Sequence, residues 1–157
     1  MIRLNRTTEY GLIALRHISR KYSADPKEMT SAREIASSYG LPFEITAKTL
    51  QRLKESGLIQ SAHGAKGGYT LQRSLKDVSL AEFLELMEGP QSVVVCGGSA
   101  EHKSNECNYD GRCEIKHLMN QLNARVFSFL EGIKLAEVAE GPIQSFVPVL
   151  AFGDEVK

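Results

Sequence analysis

Glycine and proline cut the front half of this chain into pieces too short for anything but brief helices and a hairpin. Asp25-Pro26, Gly40, Pro42, Gly57 and the cluster Gly64, Gly67 and Gly68 punctuate it, and such residues end or turn regular structure. Between these breaks the apolar residues recur with helical period. Thr7 or Thr8 is a candidate cap for a first helix with Tyr10, Ile13, Ala14 and Ile18 on its apolar face, ending near Tyr22. Ser31-Ala32-Arg33-Glu34 has the serine-to-glutamate spacing of a capping box and opens a second helix that stops at Gly40. A third follows Leu41-Pro42, turns Ala47, Leu50 and Leu53 inward, and ends at Gly57. Two short helices joined by a tight glycine turn form a helix-turn-helix, whose second helix enters the DNA major groove.

Leu58-Ile59-Gln60-Ser61-Ala62 and Tyr69-Thr70-Leu71 flank the glycine-rich tip His63-Gly64-Ala65-Lys66-Gly67-Gly68. This reads as a hairpin, and the module becomes a winged helix-turn-helix. The tip glycines let backbone approach a phosphate while Lys66 supplies charge, although an ordinary hairpin with a solvated lysine has the same pattern. The polar candidates for DNA contact are Glu44, Thr46, Lys48, Thr49, Gln51 and Arg52 on the third helix, with His63, Lys66, Gly67 and Gly68 on the wing. Arg52 and Lys48 are suited either to read guanine or to hold phosphate.

The net charge of zero conceals an asymmetry. Residues 1–80 hold thirteen Lys and Arg against seven Asp and Glu, whereas residues 81–157 hold six against twelve. A basic front half and an acidic back half suit a DNA-binding module fused to a non-binding one. No apolar run approaches the roughly twenty residues that span a bilayer. No paired carboxylates, nucleophile elbow or phosphate-binding motif points to an enzyme.

In the acidic half, Ser79-x-x-Glu82 is a second capping box, opening a helix with Leu80, Phe83, Leu84 and Met87 that Gly89-Pro90 terminates. The only three cysteines, Cys96, Cys107 and Cys113, follow within eighteen consecutive residues, separated by gaps of ten and five. Thiols gathered on one glycine-rich loop are soft ligands suited to a soft metal. An odd number cannot close a complete disulfide framework. The opening Met1-Ile2-Arg3-Leu4-Asn5-Arg6 lacks the apolar stretch of a secretory signal, so a reducing cytoplasm is expected. Structural zinc favours ligand pairs two to four residues apart, which are absent here, and the wider gaps suit an iron–sulfur binder with a fourth ligand elsewhere. After Cys113, a helix with Ile115, Met119, Leu122, Val126, Phe129 and Ile133 repeats with coiled-coil spacing, as a pairing seam or as the inward face of a core helix.

Leu4 to Tyr10, Ile35-Ala36, the run from Leu50 to Ile59, and Gly64-Ala65-Lys66-Gly67-Gly68-Tyr69-Thr70-Leu71 closely resemble the Rrf2 family of bacterial transcription regulators over about residues 1–138. The resemblance implies a mainly α fold with a small β-hairpin: a winged helix-turn-helix over residues 1–75, then a helix, cysteine loop and long dimerisation helix over 76–138. It leaves 139–157 as a tail without assigned role. Members with three loop cysteines bind a [2Fe-2S] or [4Fe-4S] cluster and sense cluster supply, iron, redox state or nitric oxide; others lack a cluster and respond to a bound enzyme. Two features depart from the family pattern. The first cysteine gap is longer than usual, and Lys116 stands where one branch has a histidine ligand, with His117 one residue later. Another branch takes an acidic ligand from the opposite subunit near the N-terminus, and Glu9 aligns there. Glu9 is thus the first candidate for the fourth ligand, then His117, then His102. The implied partners are a second copy of the chain and a roughly palindromic DNA operator. The alternative is a cluster-free regulator controlled by a protein partner or by thiol oxidation.

Overall fold

The computed structural model describes residues 4–64, 67–94 and 112–141. They form six helices and one two-stranded antiparallel hairpin, the mainly α winged-helix arrangement expected from the sequence. α1 spans Arg6–Ala24. Its cap is neither Thr7 nor Thr8 but Asn5, whose Oδ1 accepts the Thr8 amide proton at 2.9 Å. Thr8 instead lies buried in the first turn and donates its hydroxyl proton to Glu88 Oε1, with Asn5 Oδ1 3.1 Å away. Glu88 also accepts from the Asn5 amide at 3.0 Å, so a carboxylate sits at the positive end of α1.

α2 (Ala32–Tyr39) and α3 (Phe43–Glu55) meet at Gly40, whose φ of 64° is the left-handed conformation that glycine adopts without strain. Ser31 caps α2 by accepting from the Glu34 amide at 3.1 Å. The capping box read from the sequence forms only in its serine half. The Glu34 carboxylate turns to α1, where it accepts from Lys21 Nζ at 2.8 Å and lies 3.1 Å from His17 Nε2. The same substitution occurs at α4 (Leu80–Glu88): Ser79 caps the Glu82 amide, while the Glu82 carboxylate pairs with Arg73 at 2.7 Å. In both cases a cationic partner elsewhere in the fold offers the glutamate a charged hydrogen bond in place of a backbone amide.

β1 (Ile59–Ala62) pairs with β2 (Gly68–Leu71) in the register Ile59 to Leu71 and Ala62 to Gly68. Thr30 extends the pairing by exchanging two backbone hydrogen bonds with Tyr69, at 3.0 and 2.8 Å, which ties the wing to the entrance of α2. This contact explains two wing glycines. A Cβ on Gly68 would lie 2.8 Å from the Thr30 carbonyl oxygen, and one on Gly67 would lie 2.6 Å from that of Ala62.

A single core joins the elements. Leu15 and Ile18 of α1, Ile35 of α2, Leu50 and Leu53 of α3, Leu58, Ile59, Leu75, Val78, and Phe83 and Met87 of α4 are all buried in one cluster. On α1 the deepest face is Gly11, Ala14, Leu15 and Ile18; Tyr10 and Ile13 are half-buried at its flanks. Ala47 is likewise half-buried beside Leu50 and Leu53.

The last two helices depart further from the sequence reading. α5 (Lys116–Gly132) packs along α4, and Ile133, the expected end of its seam, leaves the helix in an extended conformation. The chain then turns into α6 (Leu135–Glu140), whose Leu135, Ala136 and Ala139 are buried in the main core. α6 is locked to α1: Ser19 donates to Glu140 at 2.7 Å, and Arg16 donates to the carbonyls of Ala139 and Gly141. Asn123 of α5 accepts from the Val93 amide at 2.8 Å and the Ser92 hydroxyl at 3.1 Å, pinning the segment that leaves α4.

Three outcomes follow from this packing. Gly68→Ala should lower stability by about 1–3 kcal/mol, since backbone rather than a flexible side chain occupies the space a methyl needs; denaturant unfolding measures it. Asn123→Ala leaves the Val93 amide without its acceptor and should cost roughly 1–3 kcal/mol, read by the same melt. Burial alone would raise the Glu34 pKa, but hydrogen bonds from Lys21 and His17 outweigh it and hold the group below its ordinary value of 4.5. The ionised carboxylate therefore favours the fold above that value, and its contribution disappears as pH falls through the depressed folded pKa. Glu34→Gln should flatten the acid limb of a stability–pH profile.

Candidate functional site

α3 is the second helix of the helix-turn-helix, and its burial pattern defines what it can offer to DNA. Thr46, Thr49, Leu50 and Leu53 face the core. Two expected contacts are therefore corrected: Thr46 is 1% and Thr49 0% exposed, and their hydroxyls donate to the carbonyls of Pro42 and Ile45 at 2.9 and 2.8 Å. A threonine hydroxyl can satisfy itself on the preceding helical turn, which lets its methyl join the core. Glu44, Lys48, Gln51 and Arg52 remain exposed. Of these, Gln51 donates to Glu55 at 3.0 Å, and Arg52 Nε makes a long 3.4 Å contact with the Leu86 carbonyl of α4.

Phe43 and Ile45, in the first turn of α3, are exposed as well, at 50% and 39%. As apolar residues they stand outside the polar set expected to contact DNA. The usable signal was that neither falls on the Thr46, Thr49, Leu50, Leu53 stripe.

On the wing, His63 is exposed and Gly67 and Gly68 are half-buried. Lys66 lies outside the described residues. Gly67 and Gly68 make room for the chain's own backbone at Ala62 and Thr30, a structural demand separate from any approach to phosphate.

Of the cysteines, Cys96 and Cys107 lie outside the described residues, as does His102. Cys113 is a free, half-buried thiol just ahead of α5, and its carbonyl accepts from the Lys116 amide at 3.4 Å. His117 is exposed in the first turn of α5, with Nε2 2.9 Å from Gln121 Nε2. Glu9 is exposed in the first turn of α1 and pairs loosely with Arg6 at 3.7 Å. Among the described residues no three His, Cys, Asp or Glu side chains gather as a metal-binding group. The donors available in sequence, three thiols with a solvent-facing carboxylate or imidazole, nevertheless match the mixed sulfur and oxygen or nitrogen chemistry that iron accepts.

α5 is the one described helix of more than two turns without a fully buried residue. The expected seam divides. Met119, Val126 and Ile133 are half-buried, while Ile115, Leu122 and Phe129 are exposed and joined by Leu118 in an apolar stripe open to solvent. Among the described residues no helix is long and apolar enough to cross a membrane.

The family model Rrf2, an iron-dependent transcriptional regulator, matches residues 4–141. The chain is 27% identical over 138 residues to the HTH-type transcriptional repressor NsrR of Streptomyces coelicolor, covering 87% of this chain and 90% of that protein. It is 24% identical over 136 residues to a rrf2-like HTH-type transcriptional regulator of Rhodobacter capsulatus, covering 86% and 91%. Among solved structures, CymR, the global cysteine regulator of B. subtilis, superposes with a TM-score of 0.66 at 21% identity, over 90% of this chain and 99% of that one. T. potens IscR gives 0.61 at 20% identity, over 88% and 87%. With the helix-turn-helix and wing already in place, the match across nearly all described residues shows that the chain belongs to the Rrf2 family and is a DNA-binding transcriptional regulator.

Proposed function

We propose that the chain acts in the cytoplasm as a homodimeric sensor that holds an iron–sulfur cluster, [2Fe-2S] or [4Fe-4S], through Cys96, Cys107 and Cys113. The observation that carries this reading is the confinement of every cysteine to the one connection between α4 and α5, with Cys113 a free thiol at the foot of α5. Glu9 of the partner subunit is the proposed fourth ligand, with His117 the alternative. A carboxylate oxygen is the harder, more easily displaced donor beside three thiolates, which suits a site meant to change state. When bound, the cluster supplies a centre sensitive to iron supply, oxidation or nitric oxide.

The chain's own contacts explain how a change at that loop would reach DNA. The loop leaves α4, whose last residue, Glu88, is hydrogen-bonded to Asn5 and Thr8 at the start of α1. Glu9 follows in that same first turn. Arg52 of α3 contacts the Leu86 carbonyl of α4, two residues before Glu88. The exposed stripe Ile115, Leu118, Leu122 and Phe129 supplies the pairing surface, and a two-fold dimer presents its two α3 helices to a roughly palindromic operator. Glu44, Lys48, Gln51 and Arg52, with His63 and Lys66 on the wing, contact that operator. The free thiol of Cys113 also suits a second reading, a cluster-free regulator governed by thiol oxidation or a protein partner.

Anaerobic preparation separates the two. Protein made without oxygen should carry iron and acid-labile sulfide, and Cys96→Ser, Cys107→Ser or Cys113→Ser should each lower both sharply. Glu9→Ala should leave the cluster partly assembled but alter its absorption spectrum, with a smaller effect from His117→Ala. Colourless protein with stoichiometric zinc would overturn the proposal.

A further inference from the structure

Arg33 is the second residue of α2 and Phe43 the first of α3. The Arg33 guanidinium carbon sits 6.0 Å from the centroid of the Phe43 ring, within cation–π range, so the contact bridges the N-terminal ends of the two helices across the Gly40-Leu41-Pro42 turn. Both side chains are exposed. Half of Phe43 remains in water, although the core is only one turn away at Thr46.

Three observations leave this guanidinium without an anionic partner among the described residues. Arg33 forms no ion pair with any carboxylate among the described residues. The nearest acid in sequence, Glu34, is turned inward and already holds Lys21 and His17. Glu44, the acid beside Phe43, lies on the exposed stripe with Lys48 four residues on, about 100° around the helix from the ring. An aromatic ring covers one face of a guanidinium and leaves its in-plane N–H donors open, and those donors match the oxygens of a phosphate.

The fold places the pair where phosphates pass. In a helix-turn-helix the second helix lies in the major groove with its N-terminal residues toward the bases, while the helix before it crosses the backbone. The N-terminal ends of α2 and α3 therefore flank the groove. We propose that Arg33, held against Phe43, is a DNA-phosphate contact of this regulator, and that Phe43 is its positioning residue. The inference rests on the reading that α3 enters the major groove.

The test uses the full-length protein and a labelled duplex of mixed sequence, with affinity followed by fluorescence anisotropy across a series of salt concentrations. Arg33→Ala should weaken binding a few-fold and alike for unrelated sequences. It should also flatten the plot of log affinity against log salt by about 0.9 per protomer, the release expected from one phosphate contact. Phe43→Leu keeps apolar bulk without a ring and should lose part of both effects, whereas Phe43→Trp should keep them; thermal unfolding of each variant shows that it is folded. Lys48→Ala, on the stripe facing the bases, serves as the separate probe of α3. A wild-type salt slope in folded Arg33→Ala overturns the inference: if Lys48→Ala still weakens binding, the placement of α3 stands without it, and if Lys48→Ala is silent too, both fall.

Discussion

The close crossing of α1 and α4 at Gly11 is the constraint on which the rest of the molecule depends. A Cβ at residue 11 would meet the Met87 Cε and the Phe83 Cζ at 3.2 Å each, so the missing side chain lets two large apolar groups of α4 press onto the α1 backbone. Burying Phe83 and Met87 there contributes on the order of 1.5–3 kcal/mol each. The consequence is architectural. α1 is packed on other faces by α3, by β2 and by α6, so the element that leads into the cysteine loop shares a core with the helix that supports the DNA-reading helix. A segment that hung from the winged domain by a linker could not transmit a displacement; one packed through Gly11 can.

The opposite charges of the two halves acquire a meaning beyond partner choice. Three carboxylates from the acidic half reach back to the basic one: Glu82 to Arg73, Glu88 to the first turn of α1, and Glu140 to Ser19. Arg16 answers by donating to the carbonyls at the end of α6. The acidic half thus engages α1 and Arg73, while Lys48, Arg52 and Arg33 keep exposed side chains on the helix-turn-helix. Hydrogen bonds of this sort with a charged partner contribute more than neutral ones, and those that are part-buried are less screened by salt.

Apart from the start of α1, capped by Asn5 and not by Thr7 or Thr8, the helix boundaries of the winged domain and α4, and the hairpin, were legible because they rest on local chemistry. Ser31, Ser79, Gly40 and Gly89 act within one turn of where they stand, and the alternation around Ile59 and Tyr69 is set by the pleat. What escaped the sequence depends on partners distant along the chain. Glu34 and Glu82 fit a local box, yet each is claimed by a cation from elsewhere in the fold. Thr46 and Thr49 look like polar contact residues until their hydroxyls fold back on the preceding turn, and the exposure of the apolar Phe43 follows from the open side of α3. α6, only six residues long, is too short to show a period, and its burial against α1 follows from tertiary closure alone. For the proposed cluster site, the sequence shows the residue types and the confinement of the cysteines; of the proposed ligands, Cys113, Glu9 and His117 fall within the described residues.

α5 can serve both the cysteine connection and the proposed second subunit. Its half-buried side, with Met119, Asn123 and Val126, is turned toward its own chain, and Asn123 fixes the segment emerging from α4 two turns beyond the helix start. Cys113 lies just ahead of the same helix, where its carbonyl accepts from the Lys116 amide, so both ends of the connection that carries Cys96 and Cys107 are referred to a single rod. The adjoining face of the rod carries Leu118, Leu122 and Phe129, continued by the N-cap Ile115, at spacings of three, four and seven, a coiled-coil stripe. In the proposed dimer that stripe would hold two such rods in fixed register, with the described ends of each connection fixed on its own rod. A ligand supplied from the first turn of the partner's α1 would close the circuit, because that turn is clamped by Glu88 to the very helix from which its own loop departs.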